Sequence, residues 1–222
     1  MNIRHLLPLS LLLAGLAGCG AGQDNKPQQA ASSAPAAASQ TAAAPAAAAP
    51  TAQFHGTDIR KDNIGGDFTL TDGNGKPFTL SSLKGKVVLL SFGYTHCPDV
   101  CPTTLLAYRD VLKILGDQGK DVAGVFVSVD PERDKPELMG KFTKMFHPDF
   151  IGLTATGSQD ISLVKQQYRV VSAKAEQKSD TVYAVDHTAA TYLLDKDGNA
   201  VLLEPYGKTA AEMADDVKIL LK

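Results

Sequence analysis

The sequence carries no excess of either charge and no run of one sign: 22 lysines and arginines stand against 24 aspartates and glutamates. Without a basic stripe or an acidic block, nothing in it recommends nucleic acid or an acidic macromolecule as a partner. It also lacks a bilayer-spanning run. The apolar stretch at the N-terminus extends from Leu6 to Leu16, short of the roughly 20 residues a transmembrane helix requires. No internal repeat is visible. Cysteine is scarce, with three in 222 residues, at positions 19, 97 and 101, so each of the three has to be accounted for.

The first lies in "MNIRHLLPLSLLLAGLAGC", where Arg4 and His5 precede the apolar stretch and small residues follow it. That order is a secretory signal. Leu16-Ala17-Gly18-Cys19 looks like a bacterial lipoprotein lipobox, which implies a signal peptide of residues 1–18 and a lipid on the Cys19 sulfur. The expected location is the bacterial periplasm, anchored to a membrane, and Gly20 leaves open which membrane. The mature domain then keeps Cys97 and Cys101 alone, in a compartment where dithiols oxidise unless something reduces them. Residues 19–53 are rich in alanine, with prolines at 27, 35, 45 and 50. The prolines leave segments shorter than the roughly 12 to 15 residues an isolated helix needs. A disordered tether is expected, with ends about 30 Å apart on average.

The remaining residues, 54–222, read as one α/β domain whose regular structure begins near Asp62. "GDFTLTDGNGKPFTL" is a β-hairpin around a Gly/Asn turn. "KVVLLSFGY" (86–94) is a continuous apolar run, the mark of a strand buried on both faces, and "VAGVFVSVD" (122–130) is a second. Helical spacing of apolar residues covers 102–115, 135–145 and 158–168. A β-rich stretch follows to Ala184. "ATYLLDKDGNAVLLE" closes as a hairpin around Asp197-Gly198, and "TAAEMADDVKILL" makes a C-terminal amphipathic helix. This alternation implies a thioredoxin-like fold: a central mixed sheet flanked by helices, with an N-terminal β-hairpin.

In "FGYTHCPDVCP" the two remaining cysteines follow a buried strand and sit at a helix N-terminus, where free N–H groups and the dipole favour a thiolate. At least one of them is expected to be unusually acidic. Residues four apart there project to one side, close enough to grip one ion or to join as a disulfide. As a staple the disulfide is poor, since closing so short a loop gives roughly 2 kcal/mol against roughly 4.7 for a 100-residue loop. A pair that changes state is the better reading, either a redox dithiol or part of a metal site.

A metal needs a third ligand. His96 adjoins Cys97 but adjacent residues point apart, His147 belongs to a surface helix end, and His55 lies at the edge of the tether. His187 differs. In thioredoxin-like redox proteins a cis-proline packs on the cysteines at the start of the strand that opens the closing hairpin. Aligning "TYLLDKDG" to that strand puts Ala189 or Ala190 at the proline's place, with His187 just upstream. Two thiolates and an imidazole suit Cu(I), and also hold Cu(II). A closed structural zinc site wants a fourth protein ligand, for which only Asp99, His96 or water is at hand.

"FGYTHCPDVCPTTL", "VFVSVDPERDKPE" and "VDHTAATYLLDKDG" together resemble the Sco/SenC family of copper-binding assembly proteins, over roughly residues 62–222. The resemblance implies Cys97, Cys101 and His187 as copper ligands, with Asp99 as a modulator. It also implies delivery of copper to the dinuclear copper centre of cytochrome c oxidase, or reduction of that centre's cysteines. Partners expected are the oxidase's copper-site subunit or another copper protein, a thiol reductant and, through the lipid, a membrane.

Two enzymatic alternatives stay open. One is a thiol:disulfide reductase using Cys97 and Cys101, which cycle through a disulfide. The other is a peroxide-reducing enzyme, since Thr95 stands two residues before Cys97. In "SVDPERD", Asp130 or Asp134 is expected to cap the following helix. Met139 and Met145 are expected in the core, and Tyr94 as a lining residue of the site.

Overall fold

The computed structural model describes residues 53–222; the signal peptide, Cys19 and all but the last residue of the tether lie outside the described residues. In chain order the described elements are β1 (Thr57–Asp58), β2 (Thr69–Asp72), β3 (Pro77–Thr79), β4 (Val87–Gly93), α1 (Val100–Leu115), β5 (Val122–Ser128), α2 (Pro136–Lys144), β6 (Ile151–Thr154), α3 (Ile161–Gln167), β7 (Ser172–Ala175), β8 (Ala184–His187), β9 (Ala190–Leu194), β10 (Ala200–Pro205) and α4 (Ala210–Leu220). The expected strands, hairpins and helices are all present to within a few residues. The regular structure, however, starts earlier than Asp62. β1 pairs with β10, the Ile59 N–H donates to the Val201 carbonyl at 2.9 Å, and Ile59 is buried. A two-residue strand has no periodicity to read, so nothing in the sequence announced it.

Eight strands form one sheet in the order β1-β10-β9-β4-β5-β6-β2-β3. β4 and β5 run parallel, as do β5 and β6, and the remaining pairs are antiparallel. Every residue of β4 and β5 is buried, which is why both read as unbroken apolar runs rather than as alternating ones. α1 and α4 lie against each other, and α2 packs on β6 and β2. Gly73 and Gly140 make the second contact: a Cβ on Gly73 would stand 2.4 Å from the Gly140 Cα. α1 stops at Gly116, which takes the left-handed φ of 54° that ends a helix.

Register decides what meets at one end of this sheet. Gly93 pairs with Ser128 at the ends of the parallel strands β4 and β5, so the loops that leave them emerge side by side. β9 runs antiparallel to β4 with Thr191 opposite Ser91, so the start of β9 lies at the end of β4. The residues just before β9 are therefore delivered to the cysteine loop just after β4. The stretch expected to be β-rich up to Ala184 forms a separate two-stranded sheet, β7 with β8, in which Ser172 stands opposite His187.

Candidate metal centre

Cys97 sits in the turn that follows β4, and its N–H donates to the Tyr94 carbonyl at 3.3 Å. Cys101 is the second residue of α1, and its N–H donates to the Cys97 sulfur at 3.4 Å. One of the otherwise unpartnered amides of the helix start thus addresses a sulfur, as expected at a positive helix terminus. Cys97 is half-buried, whereas Cys101 is 2 % exposed. Burial pushes the Cys101 thiol well above the usual range, and the adjacent Cys97 adds to this. The expectation of an unusually acidic cysteine is therefore reversed for Cys101, because loss of hydration outweighs the helix terminus once the sulfur is under the first turn.

The room for that sulfur comes from Gly93. A Cβ there would stand 2.5 Å from Cys101 Sγ and 2.7 Å from the Phe126 ring. An isolated glycine in an apolar strand is the sequence signal for such a close approach.

His187 ends β8 and turns its ring toward the cysteines, with Nε2 3.5 Å from Cys101 Sγ. Nδ1 lies 3.1 Å from the Thr188 carbonyl oxygen, an acceptor, so Nδ1 carries the proton and the Nε2 lone pair faces the sulfur. Thr188 is itself held, since its N–H donates to the Val171 carbonyl at 3.0 Å and its hydroxyl accepts from the Val171 N–H at 3.0 Å. Tyr94, buried, sets its ring edge-on to the imidazole with centroids 5.9 Å apart, and lines the site as expected. The donor atoms of Cys97, Cys101 and His187 all lie within 4.8 Å of one another. Bonds of about 2.0–2.3 Å put the donors of a trigonal ion about 3.5–4 Å apart. Small side-chain movements would suffice to close this set on one ion, and soft sulfur with imidazole suits copper.

Other candidates fall elsewhere. Asp99 is exposed at the N-cap of α1, where one oxygen accepts from the Thr103 hydroxyl at 3.2 Å; it is not in the donor group. His96 Nδ1 is 3.0 Å from the Thr95 hydroxyl and 3.8 Å from Asp134, turned to that carboxylate rather than to the sulfurs. His147 accepts from the Asp149 N–H at 3.3 Å, and the His55 N–H donates to Asp216. Met139 is in the core, but Met145 is 71 % exposed at the end of α2, so its expected burial is corrected.

The charged turn after β5 also departs from expectation. Neither Asp130 nor Asp134 caps α2, whose N-cap is Lys135 with no side-chain bond. Asp134 is buried, and its carboxylate accepts from the Thr95 N–H at 3.1 Å, the Thr95 hydroxyl at 2.6 Å and the Ser128 hydroxyl at 2.6 Å. It braces the cysteine loop. Arg133 bonds Asp130 and the Tyr183 carbonyl, so this arginine is committed there rather than free to activate a thiolate for peroxide.

The chain matches the SCO1/SenC family over residues 56–222. It is 42% identical over 143 residues to an SCO2-like protein of Rickettsia felis, covering 63% of this chain and 69% of that protein. It shares 46% identity with Bradyrhizobium japonicum ScoI, solved with copper bound, at a TM-score of 0.65 over 71% of this chain and 99% of the other. BsSco, described with a disulfide switch as a member of the Sco family of cytochrome c oxidase assembly proteins, is 26% identical at a TM-score of 0.59, covering 77% and 99%.

Proposed function

This chain belongs to the SCO1/SenC family, and on that premise we propose that it is a lipid-anchored periplasmic copper chaperone which supplies copper to the dinuclear site of cytochrome c oxidase. The carrying observation is the convergence of Cys97, Cys101 and His187, from the turn after β4, the start of α1 and the end of β8, to within 4.8 Å. Support for copper as the cargo comes from the copper-bound ScoI relative, and for the oxidase as client from the description of BsSco. Half-exposure of Cys97 over a buried Cys101 suits handover: a client ligand displaces Cys97 first, while Cys101 and His187 still hold the ion. Lipid on Cys19 and the alanine-rich tether would keep the domain close to membrane-bound clients.

The same pair supports a second reading, reduction of the client's disulfide, favoured by one accessible and one buried free thiol. The Cys97 thiolate would attack a client sulfur and release the other client sulfur as a thiolate. Cys101, on losing its proton, would then attack Cys97 Sγ, forming the Cys97–Cys101 disulfide and releasing the second client thiolate. Two electrons pass to the client, and an external thiol reductant resets the pair.

Anaerobic titration of the reduced domain with Cu(I), against a chromophoric chelator, separates the two. One Cu(I) per chain is expected, with an affinity loss of about tenfold or more for His187→Ala, since one ligand in three is removed. Equal affinity in that variant sinks the three-ligand reading, and copper-independent reduction of the client by it favours the second.

A further inference from the structure

The turn Asp130-Pro131-Glu132-Arg133-Asp134 reaches both halves of the donor set. Asp134 holds the cysteine loop through Thr95, as described. The other three charged residues hold the ribbon that ends in His187. Glu132 pairs with Lys174 on β7 at 2.6 Å. Asp130 accepts from the Tyr183 hydroxyl at 2.8 Å. Arg133 donates from Nη1 to the Tyr183 carbonyl at 2.8 Å and from Nε to Asp130. Its guanidinium carbon lies 3.6 Å from the Tyr183 ring centroid and 5.6 Å from that of Tyr94. Tyr183 immediately precedes β8, and Tyr94 abuts the His187 ring.

These contacts matter because, among the described residues, β7 and β8 pair only with each other and join no strand of the eight-stranded sheet. No backbone ladder fixes the ribbon against the cysteine loop. Beyond its short continuation through Thr188 and Ala189 into β9, where the Ala189 carbonyl accepts from the Tyr206 N–H at 3.1 Å, its position is left to side chains, and Arg133 is more enclosed than Lys174, with 12 % of its side chain exposed against 42 %. Its planar fork bonds in two directions while its face covers a ring, which a lysine ammonium cannot do.

We propose that Arg133 is a positioning residue for His187, clamping the β7–β8 ribbon through Tyr183 so that His187 Nε2 stays opposite Cys101 Sγ. This rests on the copper-site reading for its consequence, though not for its geometry. In the metal-free protein, Arg133→Ala and Arg133→Lys free the ribbon while the sheet beneath is untouched. In the copper-bound protein they weaken the site only through the histidine.

The test joins two measurements on Arg133→Ala, Arg133→Lys and Tyr183→Leu, the last removing the ring platform in case loss of the arginine prevents folding. Amide hydrogen exchange of metal-free protein is expected to quicken about tenfold or more across β8, from Ala184 to His187, with exchange in β5 unchanged. Cu(I) affinity is expected to fall about tenfold, with lysine giving no rescue. In a His187→Ala background the same substitutions should change affinity by less than about twofold, because the residue through which they act is already gone. Unchanged β8 exchange overturns the clamp, as does a full affinity loss in the His187→Ala background, which would mean Arg133 acts through the cysteines or through general stability. If the parent binds no Cu(I), the chaperone reading fails, and the exchange data alone decide for or against the clamp.

Discussion

At Gly93 a single hydrogen occupies the place from which any other residue would push a Cβ to 2.5 Å from Cys101 Sγ and 2.7 Å from Phe126. Both neighbours are pinned, the sulfur by the first turn of α1 and the ring by its place in β5, so an added methyl has nowhere to go. Gly93→Ala is expected to destabilise the fold by about 1–3 kcal/mol, the usual result of overpacking a close-packed interior. It should also weaken Cu(I) binding by displacing one donor. Thermal unfolding and chelator competition would check both, and a variant with parental melting and affinity would show that the sulfur can move aside. The three donor residues that the fold brings together were legible in the sequence because chemistry restricts soft ligands to a few residue types. Gly93 was not singled out, because its part in the site is to be absent from a space that other residues define.

Among the elements, the turn between β5 and α2 carries more than its local pattern conveyed. A helix following "DPERD" made a cap the natural reading of Asp130 or Asp134, since capping is a rule about neighbours in sequence. The partners of Asp134 instead include Thr95, 39 residues earlier, brought alongside because β4 and β5 are parallel and in register at Gly93 and Ser128. Asp134→Ala would leave the Thr95 N–H, the Thr95 hydroxyl and the Ser128 hydroxyl without their acceptor. It is expected to cost about 2–4 kcal/mol, since each buried donor left unpaired costs about 1–3 kcal/mol and the backbone relaxes in part. The matching Asp130→Asn variant should leave the mobility of the cysteine loop nearly unchanged. Denaturant unfolding and exchange at Thr95 and Cys97 would measure the contrast, and equal effects at the loop would contradict the division of labour. By comparison, the cap of α4 lay open in the sequence: Thr209 and Glu212 form a reciprocal capping box within four residues of each other.

At the scale of the whole domain, a carboxylate with both oxygens unpartnered among the described residues lies away from the sulfurs, where β10, α4 and the entering segment at His55 and Gly56 meet. Glu204 and Asp216 are both buried. Asp216 accepts from the N–H groups of His55 and Gly56 at 2.8–3.0 Å and so holds the first residues of the domain. Among the described residues neither Glu204 oxygen has a donor, and burial, reinforced by the Asp216 carboxyl, pushes its pKa from 4.5 up to about 8. The folded state therefore keeps a proton that the unfolded chain gives up from about pH 4.5. Stability falls as pH rises through that interval, and the loss is complete above about pH 8. Glu204→Gln, which cannot ionise, is expected to raise stability at pH 8 by on the order of 2–3 kcal/mol and to change it little at pH 5. Melting curves of parent and variant across that range would show it, and parallel pH profiles would count against a protonated Glu204.

The sequence by itself determined the inventory of this protein: buried parallel strands from unbroken apolar runs, helices from their spacing, hairpins from Gly/Asn turns, and the soft donors from the rarity of cysteine and histidine. Those features are local, and local rules read them. The tertiary structure alone decided that Cys101 is buried rather than acidic, that Asp134 serves the cysteine loop rather than a helix end, and that β1 joins the sheet edge. It alone set the β7–β8 ribbon, which ends in His187, apart from the eight-stranded sheet. Each of these follows from strand register and from which surfaces exclude water, quantities that come into being only when residues tens of positions apart are packed together.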